Sequence, residues 1–193
     1  MNFKKIALLL RGGAIGVIPT DTIYGICASA LDKKAVQEVY KLRRRNPQKP
    51  MIILISSLKD INKFDIDLKP WQKRILQRIW PGKISVVLKC ASDKFFYLHR
   101  GTKTLAFRFP KKRELLKILK LSGPIIAPSA NLEGHEPAQS IIQARKYFKN
   151  SVFYYGKGNL FGKPSTLIDL TRKTKKIKVL RVGADYKKVQ IER

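Results

Sequence analysis

Hydrophobic and polar residues follow two different periods along the chain, which predicts helices and strands in turn. Apolar side chains recur at helical spacing from Phe3 to Leu10. The pair Gly12-Gly13 ends this helix, and the apolar run Ala14–Ile18 that follows suits a buried strand. We therefore expect the chain to open with a helix that leads into a strand.

The same periods alternate through the rest of the chain. Asp32 suits the N-cap of a helix whose apolar positions run from Ala35 to Leu42. Further helices are predicted at Trp71–Ile79, Lys111–Leu121 and Ala138–Phe148. Strands are predicted at Met51–Ile55, Ile84–Leu88, Leu105–Phe109, Pro124–Ala127, Val152–Tyr155, Thr166–Leu170 and Ile177–Val182. Because the elements interleave without a linker or a repeat, we expect one α/β domain over residues 1–193, with a twisted mixed sheet flanked by helices.

Charge is the feature of the composition that most restricts the partners. The 193 residues contain 41 Lys and Arg against 13 Asp and Glu, a formal net charge of +28. The excess is regional: residues 33–49 carry seven basic side chains and one acid, and residues 171–193 carry nine and two. Such clusters favour an anionic partner such as a nucleotide or RNA, although they are also common on solvated helices. Both interpretations stay open on charge alone.

Cysteine and histidine are too few and too scattered for several classes of site. Cys27 and Cys90 form no CxxC motif, so neither a disulfide framework nor a zinc site is indicated. His99 and His135 stand alone, which argues against a histidine metal centre or a Ser-His-Asp triad. We expect both to be ordinary surface or loop residues. The sequence also lacks GxxxxGK followed by Ser or Thr, so a P-loop ATPase is disfavoured.

No segment is typical of a signal peptide or of a membrane span. The apolar run Ile6–Leu10 is stopped by Arg11 and is shorter than the roughly 7 to 15 residues of a signal-peptide core. No stretch approaches the roughly 20 apolar residues that cross a bilayer. We therefore expect a soluble cytoplasmic protein with no membrane partner.

Two polar segments have the residue types that bind anionic substrates. The heptad PTDTIYG, Pro19–Gly25, places hydroxyls and a carboxylate where a strand ends, and open α/β sheets commonly bind ligands there. A plain exit from strand to turn is the competing interpretation. The segment RRRNPQKPM, Arg43–Met51, joins guanidinium groups at a helix end to a Pro-bounded loop and suits phosphate oxygens. Cations at a helix C-terminus also offset the helix dipole, so a structural role competes.

Arg108 is the most informative charge within a predicted strand. Alternation places it on the face opposite Phe107 and Phe109, a position that requires an anionic partner or solvent. The remaining polar segments are WPGKIS at 80–85, PSAN at 128–131 with Gly134 after it, PSTLID at 164–169 and LRVG at 180–183.

Taken in order, these segments resemble the YrdC-like family of threonylcarbamoyladenylate synthases over about residues 14–183. The motifs of that family run PTDT-YG, K-x-R with a nearby K-P, WPG-P, an arginine in a short strand, SAN-x-x-G, PST-x-x-D and R-x-G. Each motif is weak alone, but their agreement in order is specific. The resemblance is to the short, single-domain form, and it implies a YrdC-like open α/β fold with a basic concave cavity.

The chain departs from the family pattern at two positions. Arg43 stands where the family has the lysine of K-x-R, and Lys83 stands where it has the second proline of WPG-P. The triplet Lys41-Leu42-Arg43 also spells K-x-R, so a competing register exists. We prefer Arg43 and Arg45, because that register aligns Lys49-Pro50 with the family's K-P.

The resemblance implies an activity and a set of site residues. Members of the family let the amine of L-threonine capture bicarbonate-derived carbon dioxide as a carbamate, which attacks the α-phosphorus of ATP and expels pyrophosphate. The product serves threonylcarbamoyladenosine modification of the tRNA anticodon loop. Positioning and charge stabilisation suffice for such chemistry. The resemblance assigns catalysis to Arg43 and Arg45. It assigns threonine binding to Thr20, Lys49, Arg108 and Ser165. It assigns ATP binding to Arg43, Arg45, Lys49, Thr104, Ser129, Asn131 and Arg181.

The same resemblance indicates which partners to expect. Mg²⁺ would accompany ATP, and the sequence shows no dedicated carboxylate cage for it. The product would pass to separate threonylcarbamoyl-transfer proteins, and weak tRNA binding is possible. The main alternative is a non-catalytic RNA-binding module of the same fold, which would bind in a salt-sensitive way without turnover. A carbamoyl-adenylating domain of hydrogenase maturation is a third interpretation, disfavoured because zinc-finger and acylphosphatase-like segments are absent from the sequence.

Overall fold

A computed structural model describes residues 1–156, 158–172 and 177–190. Its α-helices are α1 Phe3–Arg11, α2 Lys33–Leu42, α3 Pro70–Ile79, α4 Phe96–His99, α5 Arg113–Ser122, α6 Ile141–Phe148 and α7 Tyr186–Gln190. Its strands are β1 Gly16–Pro19, β2 Tyr24–Ser29, β3 Ile52–Leu54, β4 Ile84–Lys89, β5 Thr104–Arg108, β6 Ile125–Ile126, β7 Phe153–Tyr154, β8 Thr166–Asp169 and β9 Lys178–Arg181. Short 3-10 helices occupy Leu58–Phe64 and Asp93–Phe95.

The strands of the described chain form one mixed sheet in the order β7-β1-β2-β6-β3-β5-β4-β8-β9. Strands β1 and β7, β3 and β5, and β4 and β8 pair in parallel, whereas the other neighbours are antiparallel. The sheet is open, since β7 and β9 lie at its two edges. The predicted mixed sheet flanked by helices is therefore confirmed.

Strand β2 is the main element that the sequence pattern did not predict. It pairs with β1 as a hairpin, and all six of its residues are buried. Its sequence YGICAS contains Gly25 and Ser29, which interrupt the apolar run by which a buried strand is recognised. The polar heptad at 19–25 is therefore a hairpin turn between two strands, with β2 beginning at Tyr24, and not a plain exit into a loop.

Helices cover the two faces of the sheet unequally. On one face, α2, α3 and α6 contribute to the larger hydrophobic core, which includes Phe107 of β5 and Ile126 of β6. On the other face, α1 and α5 pack over Ile18, Leu54 and Ile125. Because side chains alternate along a strand, the residues of β5 on this second face are Thr104, Ala106 and Arg108. They lie beyond the part that α1 and α5 cover, and there the candidate site opens.

His99 departs from the expectation of an ordinary surface or loop residue. It ends α4 and is fully buried. The left-handed backbone at Arg100 and Gly101 turns the chain back, so that the Gly101 N–H donates to His99 Nδ1 at 3.1 Å. The expectation was wrong for His99 because it rested on isolation in the sequence, which says nothing about burial. His135 is exposed, as expected.

Two further expectations concern the basic C-terminal stretch and the absence of a membrane span. Within the basic stretch at 171–193, residues 173–176 and 191–193 lie outside the described residues. No described helix is both long enough and apolar enough to cross a membrane.

Candidate active site

A cavity of about 410 Å³ opens on the uncovered part of the sheet. It is walled by the hairpin turn after β1, the loops after α2 and β6, and strands β3, β4, β5, β8 and β9. The residues predicted for the site that line this cavity are Thr20, Arg43, Arg45, Thr104, Arg108, Ser129, Ser165 and Arg181. The fold thus brings together segments that are spread over most of the sequence. Lys49 and Asn131, which were also predicted for the site, are not among the residues that line it.

Arg108 and Asp21 form a buried ion pair at the edge of the cavity. Arg108 Nη2 lies 3.0 Å from Asp21 Oδ1, and each side chain is only 4% exposed. The anionic partner that the strand position required is therefore the carboxylate of the hairpin turn. Two atoms of this pair, Arg108 Nε and Asp21 Oδ2, are buried without a hydrogen-bond partner among the described residues. A buried polar atom without a hydrogen bond costs free energy, so these two unmade bonds reduce what the pair contributes to stability.

Thr20 organises the hairpin turn that presents this ion pair. Its hydroxyl donates to the Ile23 carbonyl at 2.6 Å and accepts from the backbone N–H groups of Thr22 and Ile23, each at 3.2 Å. Thr22 Oγ1 in turn lies 3.4 Å from Arg108 Nη2. The loop before β8 packs closely against this turn at Gly162. A Cβ at that position would lie 1.9 Å from the Thr22 carbonyl oxygen. Glycine is therefore the residue that fits there.

Arg43 enters the cavity because α2 ends at Leu42 and Arg43 is its C-cap. Its Nε donates to the Asn131 carbonyl at 3.0 Å, and its Nη2 donates to Asn131 Oδ1 at 3.0 Å and to Ser129 Oγ at 3.3 Å. Burial, followed by repulsion from Arg45, lowers the pKa of Arg43 to about 10, so the side chain is still cationic at neutral pH. Its Nη1 is buried and makes no hydrogen bond within the described residues.

Lys41 lies outside this arrangement. Its side chain is 78% exposed on α2, and its ammonium lies 3.5 Å from Glu38. Arg45, two residues after Arg43, lines the cavity while Lys41 does not. The geometry therefore favours the register that pairs Arg43 with Arg45.

Lys49 and Asn131 do not line the cavity, but each accepts a hydrogen bond from an arginine that does. The Lys49 ammonium lies 2.6 Å from Glu133 Oε1, and its side chain is 58% exposed. Asn131 is buried, and its Nδ2 donates to the carbonyls of Leu132 and His135 at 2.8 and 2.6 Å. As the molecule stands, Asn131 positions Arg43 and its own loop.

The opposite wall is formed by Arg181 of β9 and the segment before β8. Arg181 Nη2 donates to the Ser165 carbonyl at 2.8 Å and to Ser165 Oγ at 3.2 Å. Ser165 Oγ also lies 2.8 Å from the buried hydroxyl of Ser85. Burial, with a further contribution from Arg108, lowers the pKa of Arg181. Thr104 completes the wall, and its hydroxyl lies 3.1 Å from Thr102 Oγ1.

The cavity is lined by positive charge. Four guanidinium groups line it, and its described lining residues include no carboxylate. Such a concentration of positive charge in a concave site attracts polyanions, and guanidinium groups match the geometry of phosphate and carboxylate. The apolar lining residues Met51, Ile52, Val87, Leu167 and Leu180 offer surface for an uncharged part of the ligand.

Comparison with known proteins identifies the family. The model of the Sua5/YciO/YrdC family, described as "Telomere recombination", matches residues 8–183. The chain belongs to this family. The resemblance drawn from the ordered motifs is therefore confirmed.

Two relatives of this chain are named threonylcarbamoyl-AMP synthase. Threonylcarbamoyl-AMP synthase of Pyrococcus abyssi is 32% identical over 173 residues, which cover 88% of this chain and 51% of the relative. The synthase of Hahella chejuensis is 30% identical, with 86% of this chain and 91% of the relative covered. The chain thus spans about half the length of the first relative and most of the second.

Two solved structures share the fold of this chain. The structure of P. abyssi Sua5 complexed with L-threonine superposes with a TM-score of 0.88 at 29% identity, covering 98% of this chain and 56% of that one. Escherichia coli YciO superposes with a TM-score of 0.82 at 23% identity, covering 94% and 89% of the two chains, and shares the fold. The open α/β architecture is therefore that of the family.

Three residues at the site were not predicted as ligands or partners. Asp21 and Thr22 contact Arg108, and the Lys112 ammonium lies 3.3 Å from the Thr20 carbonyl oxygen. Asp21 and Thr22 belong to the polar heptad Pro19–Gly25. An ion pair between Asp21 and Arg108 could therefore have been predicted, since the strand position of Arg108 requires an anionic partner. Lys112 lies four residues after the end of β5 at Arg108, and no motif of the sequence includes it.

Proposed function

We propose that this chain is an L-threonylcarbamoyladenylate synthase, a nucleotidyltransferase that makes threonylcarbamoyl-AMP and pyrophosphate from L-threonine, bicarbonate and ATP. The observation that carries the proposal is the cavity in which Arg43, Arg45, Arg108 and Arg181 meet without a lining carboxylate. Two of these guanidinium groups have buried N–H groups without partners among the described residues, Arg43 Nη1 and Arg108 Nε. Guanidinium groups that line a cavity suit the oxygens of phosphate and of the threonine carboxylate.

The reaction assigned to this cavity needs positioned cations more than it needs an acid or a nucleophile. The amine of threonine and bicarbonate combine to a carbamate with loss of water. A carbamate oxygen then forms a bond to the α-phosphorus, and the bond from that phosphorus to the bridging oxygen of pyrophosphate breaks. Negative charge builds on the transferred and leaving phosphates, so fixed guanidinium groups stabilise the transition state.

The two ends of the cavity suit the two larger substrates. Arg108, held on its other side by Asp21, would bind the carboxylate of threonine, next to Thr20 and Ser165. Arg43 and Arg45, at the other end, would bind the phosphates, with Ser129 and Thr104 toward the nucleotide and Asn131 holding Arg43 in place. Arg181, which contacts Ser165, would reach the phosphates from the threonine side. Lys49 would join the phosphate ligands once it leaves Glu133.

Magnesium is proposed only as the companion of ATP. The described residues include no group of three His, Cys, Asp or Glu side chains that could hold a metal ion. Asp21, beside the cavity, is engaged by Arg108. The described side chains therefore do not form a dedicated magnesium cage.

The test is pyrophosphate release from the purified chain with ATP, L-threonine and bicarbonate. We expect release that requires all three, since the carbamate needs two of them and the leaving group comes from the third. Arg45→Ala should abolish most of it, and Lys41→Ala is the matched control, because it removes a nearby positive charge that does not line the cavity. Release that ignores threonine or bicarbonate would refute the proposal.

The net charge of +28 favours tRNA binding as a second property of the same chain. Binding that depends on phosphate contacts falls steeply with salt, whereas turnover of the small substrates should change less. Measuring tRNA affinity and pyrophosphate release over one salt series separates the two. Salt-sensitive tRNA binding without any release would favour the non-catalytic RNA-binding module.

Product made in the cytoplasm would pass to threonylcarbamoyl-transfer proteins.

A further inference from the structure

Glu133 ties down the segment at 43–50 that would bind phosphate. Its Oε1 accepts from the Lys49 ammonium at 2.6 Å, and its Oε2 accepts from the backbone N–H of Asn46. Its own N–H donates to the Arg43 carbonyl at 2.8 Å. One acidic residue therefore contacts three positions along the basic segment.

This contact holds the side chain of Lys49 away from the cavity. Arg45 Nε donates to the Lys49 carbonyl at 3.1 Å, so the backbone of Lys49 lies beside a guanidinium group that lines the cavity. The ammonium of Lys49, however, is bound by Glu133 and does not line the cavity. The Glu133 carboxylate binds the Lys49 ammonium in the way that a phosphate oxygen would.

The carboxylate is ionised under ordinary conditions. The hydrogen bond from Lys49, followed by that from the Asn46 N–H, lowers the pKa of Glu133 below its usual value.

We propose that Glu133 is an internal competitor of the nucleotide for Lys49, and so a determinant of ATP affinity. This inference rests on the proposed function, since it takes ATP as the ligand of the cavity. A polyphosphate that enters the cavity must displace the Glu133 carboxylate from the Lys49 ammonium. It is also repelled by the negative charge of that carboxylate beside the site. Removal of that charge should therefore tighten binding, whereas loss of a purely structural contact should weaken it.

The experiment compares the binding of ATP and of inorganic pyrophosphate by calorimetry. Glu133→Gln removes the charge and keeps an oxygen that can accept from the Asn46 N–H. We expect affinity for both anions to rise at least about threefold, the scale of an exposed ion pair, and the gain to shrink as salt is added. Glu136→Gln is the matched control, because it removes the same charge from an exposed position in the same loop.

A second comparison assigns the effect to Lys49. In a Lys49→Ala background, Glu133→Gln should change affinity by less than about half of its effect in the wild type, because the cation for which the carboxylate competes is gone. Unchanged or weaker binding by Glu133→Gln, an equal gain from Glu136→Gln, or a full gain without Lys49 would each overturn the proposal. ATP that fails to bind any variant would instead refute the proposed function.

Discussion

The buried pair of Asp21 and Arg108 gives a prediction about stability that requires no substrate. Asp21→Asn keeps the shape of the side chain but removes the charge that faces Arg108 at 3.0 Å. Loss of one partner from a buried ion pair costs about 3–5 kcal/mol of the free energy of unfolding, because the other charge is left uncompensated. The asparagine oxygen can still accept from Arg108, and the cavity admits water on one side, so we expect the lower end, about 3 kcal/mol.

Chemical unfolding followed by tryptophan fluorescence measures this cost. For a chain of this size, about 3 kcal/mol corresponds to a fall in Tm of roughly 6–12 °C. Asp67→Asn, at an exposed position, is the matched control and should change the free energy of unfolding by less than about 0.5 kcal/mol. The variant Arg108→Met removes the other partner and should be similarly destabilising.

The double variant decides whether the charges are coupled. With both removed, no buried charge is left unpaired, so the total cost should fall short of the sum of the single costs by at least about 2 kcal/mol. Costs that add within about 0.5 kcal/mol, or an Asp21→Asn variant as stable as the parent, would refute the reasoning.

Three further predictions follow from the geometry. Arg45→Ala should raise the ATP concentration for half-saturation at least about tenfold, or about 1.4 kcal/mol, in steady-state kinetics, whereas Lys41→Ala should leave it within about twofold. Burial raises the pKa of both Cys27 and Cys90, so neither thiol should react with a thiol reagent until the protein is unfolded; rapid labelling of the native chain would contradict this. Burial alone would raise the pKa of Asp60, but hydrogen bonds led by the one from Lys63 outweigh it and lower the pKa. That stabilisation is complete above the unfolded value of about 3.9 and is lost as pH falls through the lowered folded value. Asp60→Asn should therefore destabilise at pH 7 and not in strong acid, as unfolding curves at the two pH values would report.

Much of the fold could be predicted because the helices and strands have regular apolar periods. The helix after Asp32 was placed by its capping residue and apolar stripe, and it ends at Leu42 as the spacing indicated. Strand β2 was missed because Gly25 and Ser29 break its apolar run. A long-range pairing such as β1 with β7 cannot be deduced from local periodicity, since it depends on how distant segments pack.

The site could be predicted as a set of residues but not as a network. The resemblance to the family's motifs assigned Arg43, Arg108 and Arg181 to one site, and the fold brings them to one cavity. The sequence did not indicate that Asn131 would hold Arg43, or that Glu133 would hold Lys49. Those contacts join residues more than eighty positions apart, so only the packed structure can reveal them.

The proposed reaction joins the carbon of bicarbonate to threonine and to AMP in this cavity. The most direct measurement is mass spectrometry of the nucleotide product after incubation with ATP, L-threonine and ¹³C-labelled bicarbonate. We predict a product that contains threonine and AMP and whose mass increases with the isotope. A threonine adenylate without the labelled carbon, or AMP released with no threonine attached, would contradict the account.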